Sequence, residues 1–302
     1  MSNAQPTITP TETAPALMQA AQRSSHRFDF LRRLGKHPSA VAGGSVLIVI
    51  LLLTFAAPLI APYDPIETFS RESRAGPSLD HWLGTDQLGR DVWSRILWGA
   101  RISLMLGLIA VAIGGVIGTA LGLLAGYFRG YVEIAIMQFI DILLAFPGFL
   151  LALAAVAVLG TGINNVMIAV GIALVPGFAR VVRGSTLTIR EMTYVESARV
   201  VGVGHVRTMT RYVLPNVLAP IMVLATVDIA GAILTGAALS FLGMGAQPPT
   251  AEWGLMVNEG RRFLRDAWWI TTFPGIAMMI SVIAINLVGD ALRDVLDPRM
   301  RS

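Results

Sequence analysis

Charged residues are absent from two long stretches of the chain, between Lys36 and Asp64 and between Arg101 and Arg129. Each exceeds the ~20 mostly apolar residues that a membrane helix needs, so spans are predicted near 40–60 and 102–127. A third apolar interval, from Asp141 to Arg180, is too long for one helix. It is interrupted by Gly160, Thr161, Gly162, Asn164 and Asn165, a turn-forming cluster, and so predicts two spans, near 132–159 and 164–182. Two more are expected near 214–242, with Asp228 inside it, and near 269–289. The fold class that follows is an all-α polytopic membrane protein with six transmembrane helices.

Composition agrees with this pattern. Of 302 residues, 54% are apolar and 14% charged, against about a quarter charged in ordinary soluble domains; the mean hydropathy is +0.66. There is no cysteine, which excludes disulfides, thiolate metal sites and a cysteine nucleophile. The single lysine, Lys36, precedes His37, so no phosphate-binding P-loop exists and ATP-driven work would fall to another subunit.

Arginine sets the orientation. With six spans and the N-terminus inside, 15 of the 23 basic residues fall in cytoplasmic segments, and the positive-inside rule then places both termini in the cytoplasm. A secretory leader over residues 23–57 would be far longer than the usual 15–30 residues. Residues 1–25 read as a disordered cytoplasmic tail. Residues 26–39 mix Phe28, Phe30, Leu31 and Leu34 with basic residues; they are expected to form an amphipathic helix on the inner surface, or a basic anchor that fixes orientation. The first span follows at 40–60, an external segment at 61–101, and the remaining transmembrane domain at 102–302.

Three features bear on mechanism. Gly114, Gly118, Gly122 and Gly126 form one helical stripe that permits close backbone packing. Asp141 and Asp228 are the carboxylates deepest in predicted spans, where a charge costs about 2.5–3.5 kcal/mol, and no intramembrane basic residue is expected to partner them. Asp141 either lines a path or makes a structural hydrogen bond near a helix break at Phe146-Pro147; Asp228 has no local motif. Finally, residues 184–214 combine a loose helical apolar pattern with arginines and are too short and charged to span. Gly202 and Gly204 can end one short helix, His205 to Tyr212 can form another, and Pro215 suits the first turn of the fifth span. An exposed helical hairpin on the inner face is expected; the alternative is an ordinary solvated loop.

The string Glu196-Ser197-Ala198, then Gly202, then Leu214-Pro215 resembles the signature of the permease subunits of binding-protein-dependent ABC importers. Ser197 and Tyr212 depart from the usual alanine and isoleucine. Further strings resemble the C-type permease of the peptide and nickel branch: Leu83-Gly84-Thr85-Asp86 with Gly89-Arg90-Asp91, Asp141 with Pro147, Phe241-Leu242-Gly243, Glu252-Trp253-Gly254, and Asn286-Leu287 through Asp297-Pro298. The resemblance implies that Glu196, Ser197, Ala198, Gly202, Leu214 and Pro215 couple the chain to an ATPase, and that Asp141 and Asp228 are the candidates for the translocation path. It also implies a homologous second permease, two ABC ATPase subunits, a periplasmic or surface binding protein and the lipid bilayer of a bacterial cytoplasmic membrane as partners, with no nucleic acid, no cofactor and no metal. The implied cargo is a di- or oligopeptide; the alternative is glutathione or a nickel or other metal chelate. This chain would carry out no covalent chemistry itself. A proton-coupled carrier would need repeats and titratable partners within spans, and an intramembrane hydrolase would need a nucleophile with a base; neither pattern is present.

Overall fold

The computed structural model describes Arg32 and residues 34–296. The expected tail at 1–25 and half of the expected helix at 26–39 lie outside the described residues, as does Asp297-Pro298. Among the described residues the secondary structure is helical, with one isolated antiparallel bridge between Thr85 and Asp91.

Helix α1 (Pro38–Ile60) takes Pro38 in its first turn, where a missing N–H is tolerated. An irregular segment at 61–91 leads to α2 (Val92–Phe128), 37 residues long and N-capped by Asp91, whose carboxylate accepts from the Ser94 N–H at 2.7 Å. At 1.5 Å per residue α2 runs about 55 Å, well beyond the ~30 Å hydrocarbon core. The helix thus begins ten residues before the expected span at 102–127: Arg95 and Arg101 interrupt the apolar window but not the helix.

The expected span at 132–159 is two helices, α3 (Gly130–Leu144) and α4 (Gly148–Leu159), bent by 92°. The break lies at Ala145–Pro147, where Pro147 has no N–H and its ring disfavours helical backbone at Phe146. Helix α5 (Ile163–Arg190) then runs past the expected end at 182 and takes in the first residues of the expected hairpin segment at 184–214.

The short helices α6 (Thr193–Val200) and α7 (His205–Thr208) follow. A π-helical turn at Met209–Val213 joins α7 to α8 (Leu214–Phe241) in one continuous run. Pro215 thus does not begin an independent helix. Its ring would crowd the carbonyl four residues back in a regular α-helix; here the wider turn intervenes, with the Leu214 N–H reaching the Met209 carbonyl. Helices α9 (Trp253–Gly260) and α10 (Trp269–Leu296) complete the chain. The result is five helices long and apolar enough to cross a membrane, or six if the bent α3–α4 pair is one span.

The bundle is organised around α2 and α5. A methyl group at Gly118 would lie 2.6 Å from the Val175 carbonyl oxygen, at Gly122 2.5 Å from that of Ala179, and at Gly126 2.9 Å from that of Arg183; Gly171 returns the arrangement against Ile113. The glycine stripe is thus a backbone-to-backbone seam. Beside it, Leu106 and Ala110 of α2, Ala152 and Val156 of α4, Val170 and Phe178 of α5, and Ala232 and Leu239 of α8 form the largest buried cluster.

Candidate functional site

The two ends of α2 carry different chemistry. Around its N-terminus, residues 61–91 and 243–268 are tied by buried ions. Asp86 accepts from the Leu88 and Arg90 backbone N–H groups at 2.8 and 3.0 Å and from Arg90 Nε at 2.6 Å. Arg90 also reaches Glu259 at 2.9 Å, while Arg95 donates to the Pro65 and Pro249 carbonyls at 2.9 and 3.3 Å. Both arginines are 1% exposed, a burial that is tolerable because their donors are used. Gly84 and Gly89 have φ of +77° and +78° and no room for a Cβ. The string Leu83 to Asp91 therefore builds a structural cap.

The same cap gives Glu252 and His81 structural roles. Glu252 is buried and caps α9, accepting from the Gly254 and Leu255 N–H groups at 2.9 and 2.8 Å and from the Ser103 hydroxyl at 3.2 Å; burial pushes its carboxyl above the usual range. His81 is 4% exposed and lies between Asp91 Oδ1, 2.9 Å from its Nδ1, and Glu72 Oε2, 2.8 Å from its Nε2. Burial alone would lower the imidazole pKa, but the hydrogen bonds to Asp91 and Glu72 outweigh it and the pKa is raised.

At the opposite end of α2, residues 191–208 hold α6 and α7 as a short hairpin, inside the segment 184–214 where one was expected. Its first helix ends in a Schellman arrangement, with the Gly202 N–H donating to the Arg199 carbonyl and the Val203 N–H to that of Ala198, both at 3.0 Å. Gly202 has φ +85°, which favours glycine, although its Cα faces open space. Val195 and Ala198 are turned inward, whereas Glu196 and Ser197 are exposed. Val200, Val201 and Val206 are 82%, 83% and 70% exposed, an apolar tip that the described residues leave uncovered. The anticipated coupling set divides. Glu196, Ser197, Ala198 and Gly202 lie on α6 and its cap, while Leu214 and Pro215 stand beyond the π-turn at the root of α8.

Asp141 has a basic partner, contrary to the expectation that it would lack one. Its Oδ1 accepts from Arg180 Nη2 of α5 at 2.6 Å, and on the same two helices Arg183 donates to Glu133. The four side chains, with Ile134 and Met137, line an open recess of about 370 Å³. Arg180 stands 39 positions away in the chain, so only the packing of α3 on α5 could have revealed the pair. Asp228 is half-buried in α8, with no ion-pair partner among the described residues. The structure does not bring it together with Asp141. No group of acidic and histidine residues suited to a metal occurs among the described residues.

Comparison with known proteins follows from this geometry. Residues 118–302 match the family described as binding-protein-dependent transport system inner membrane component, and residues 27–77 match the N-terminal TM domain of oligopeptide transport permease C. The chain is 45% identical over 291 residues, 96% of each chain, to the glutathione transport system permease protein GsiD of Pectobacterium atrosepticum. It is 48% identical over 274 residues, 90% of each, to that of Escherichia coli. Among solved structures, a chain from the inward-facing MetNI methionine ABC transporter superposes with a TM-score of 0.55 at 16% identity, covering 67% of this chain and 96% of that one.

Proposed function

The chain belongs to the family of binding-protein-dependent transport system inner membrane components, as a multi-pass permease subunit of a bacterial ABC importer, and from that premise we propose that it pairs with a homologous permease to form a path for glutathione or a peptide of similar size. The relatives' name favours glutathione over the wider range of di- and oligopeptides that the sequence strings imply. A permease of this kind works with a partner permease, ATPase subunits and a substrate-binding protein. In the proposed arrangement both termini and the 191–208 hairpin are cytoplasmic, and the cap at 61–91 and 243–268 faces the binding protein. ATP is hydrolysed by the separate subunits, and this chain converts their closure into movement of its helices.

The observation that carries the coupling role is the hairpin tip. Val200, Val201 and Val206 stand in the open on the short helices that carry Glu196, and exposed apolar side chains grouped in this way mark a contact surface. A cleft on an ATPase would cover them, with Glu196 free to meet a basic group there.

Gly202→Asp tests this directly. The substitution disturbs a left-handed residue and adds a charge at the docking tip, outside the spans. Membrane abundance and recovery of the partner permease should stay near normal, while recovery of the ATPases in detergent pull-downs and uptake of labelled glutathione fall sharply. Glu196→Ala should be milder, since it removes one polar contact worth about 0.5–1.5 kcal/mol. Normal ATPase recovery with Gly202→Asp would refute the docking role, and uptake that discriminates against glutathione in favour of other short peptides would refute the cargo.

A further inference from the structure

At the last turn of α2, beside the root of the hairpin, Tyr127 is 1% exposed. Its ring belongs to a buried cluster with Val182 of α5, Val195 of α6, Val213 of the π-turn and Val217 of α8. Three separate stretches of the chain, α5, α6 and the continuous run from the π-turn into α8, therefore join one buried cluster with this side chain. Its hydroxyl is 3.0 Å from His205 Nδ1 on α7, the polar partner that a buried phenol requires. Two guanidinium groups lie against its ring, Arg199 of α6 at 5.4 Å and Arg190 at the end of α5 at 5.9 Å, within range of cation–π attraction.

The position matters because of what surrounds it. The glycine seam locks α2 to α5 as far as Gly126, where a Cβ would already lie 2.7 Å from that of Thr186. These helices cannot slide apart without losing backbone contact, so they respond to force as one body. The hairpin is joined to that body covalently only through Glu191 and Met192. Laterally it grips Tyr127 through Val195, Arg199 and His205. A displacement of the hairpin tip must either break these contacts or drag the end of α2 with it.

We infer that Tyr127 is a positioning residue through which displacement of the 191–208 hairpin is passed to α2 and α5. The inference rests on the coupling role proposed above and adds to it the point of transmission. Docking of the ATPases, at the exposed tip, and transmission, at the buried root, are then separable. Damage at Tyr127 should leave the ATPases bound and hydrolysing while transport falls behind.

The test uses the complete transporter, reconstituted in proteoliposomes with its ATPases and binding protein. Tyr127→Leu removes the ring, Tyr127→Phe the hydroxyl alone, and Arg199→Gln one stacked cation on an exposed helix. Substrate accumulated per ATP hydrolysed is expected to fall about five- to tenfold for Tyr127→Leu and Arg199→Gln, the lower range of coupling between sites, and less for Tyr127→Phe, with ATPase recovery unchanged. An unaltered ratio in Tyr127→Leu and Arg199→Gln would overturn the inference, as would loss of the ATPases from either variant. Should Tyr127→Leu fail to insert, Arg199→Gln decides alone. Retention of the ATPases by Gly202→Asp would instead overturn the docking role, so the two failures are distinguishable.

Discussion

A single methyl group in the glycine seam gives a sharp test of how α2 and α5 are held. In Gly122→Ala the new Cβ would stand 2.5 Å from the Ala179 carbonyl oxygen, 2.7 Å from Val182 Cβ and 2.9 Å from the Arg183 nitrogen, where ordinary contact begins at 3.4 Å. Two of these three are backbone atoms, which cannot rotate away. The helices would have to part by most of an ångström, and the neighbouring contacts at Gly118 and Gly126 would loosen with them. Overpacking of this kind costs about 1–3 kcal/mol, opposed by the up to ~1 kcal/mol by which alanine exceeds glycine as a helix former. Gly115→Ala, two turns away on the same helix, supplies the reference: its Cβ would meet only the Phe178 ring, at 3.6 Å or more. The helix-propensity gain is common to both variants, so the difference between them isolates packing and should be about 1–3 kcal/mol. Unfolding of the purified chain in mixed micelles of increasing denaturing detergent measures it. Gly122→Ala should unfold at markedly lower denaturing-detergent fraction than Gly115→Ala. Equal midpoints would refute the reading of the stripe as a seam.

Both nitrogens of His81 face carboxylates, and only the imidazolium can donate to Asp91 and Glu72 together. Because the folded-state pKa is raised above the ordinary value near 6.5, this contribution to stability is fully present below that value and is lost as pH rises through the raised one. Thermal midpoints should therefore decline across that window in the native chain and decline less in His81→Gln; identical pH profiles would count against the clasp. Asp141→Asn should impair uptake more than Asp228→Asn at equal expression, because only Asp141 joins the α3–α5 contact. Arg180→Gln should resemble Asp141→Asn, and the double variant should be no worse than either single one; additive losses would show that the two side chains act independently.

The number of long apolar segments could be read from charge-free intervals, and the turn after α4 from its glycines and asparagines. The ends of the helices could not. Hydropathy marks where side chains prefer lipid, whereas α2 and α5 continue into regions where Arg95 is held by the Pro65 carbonyl and Glu259 and Arg190 lies over the Tyr127 ring. The helix break at Pro147 was visible in the residue type, but the 92° bend depends on what α3 and α4 pack against. At the candidate site, the left-handed end at Gly202 follows from two glycines after a helical pattern. The Asp141–Arg180 pair and the convergence on Tyr127 do not, since each joins residues dozens of positions apart. Tyr127 read alone is one more aromatic residue at the end of a span. Its neighbours give it a role, and those neighbours lie on four elements that no local pattern brings together.

The central claim is that the hairpin tip meets the ATPases from the cytoplasmic side. Because the native chain has no cysteine, a single one can be placed at will and loaded with a photoactivatable maleimide in the assembled, transporting complex. Val201→Cys, at the exposed tip, should yield a covalent adduct with an ATPase subunit on illumination, and Ser70→Cys, in the cap at the other end of α2, should yield none. An ATPase adduct from position 70, or none from position 201 in a complex that still transports, would contradict the account.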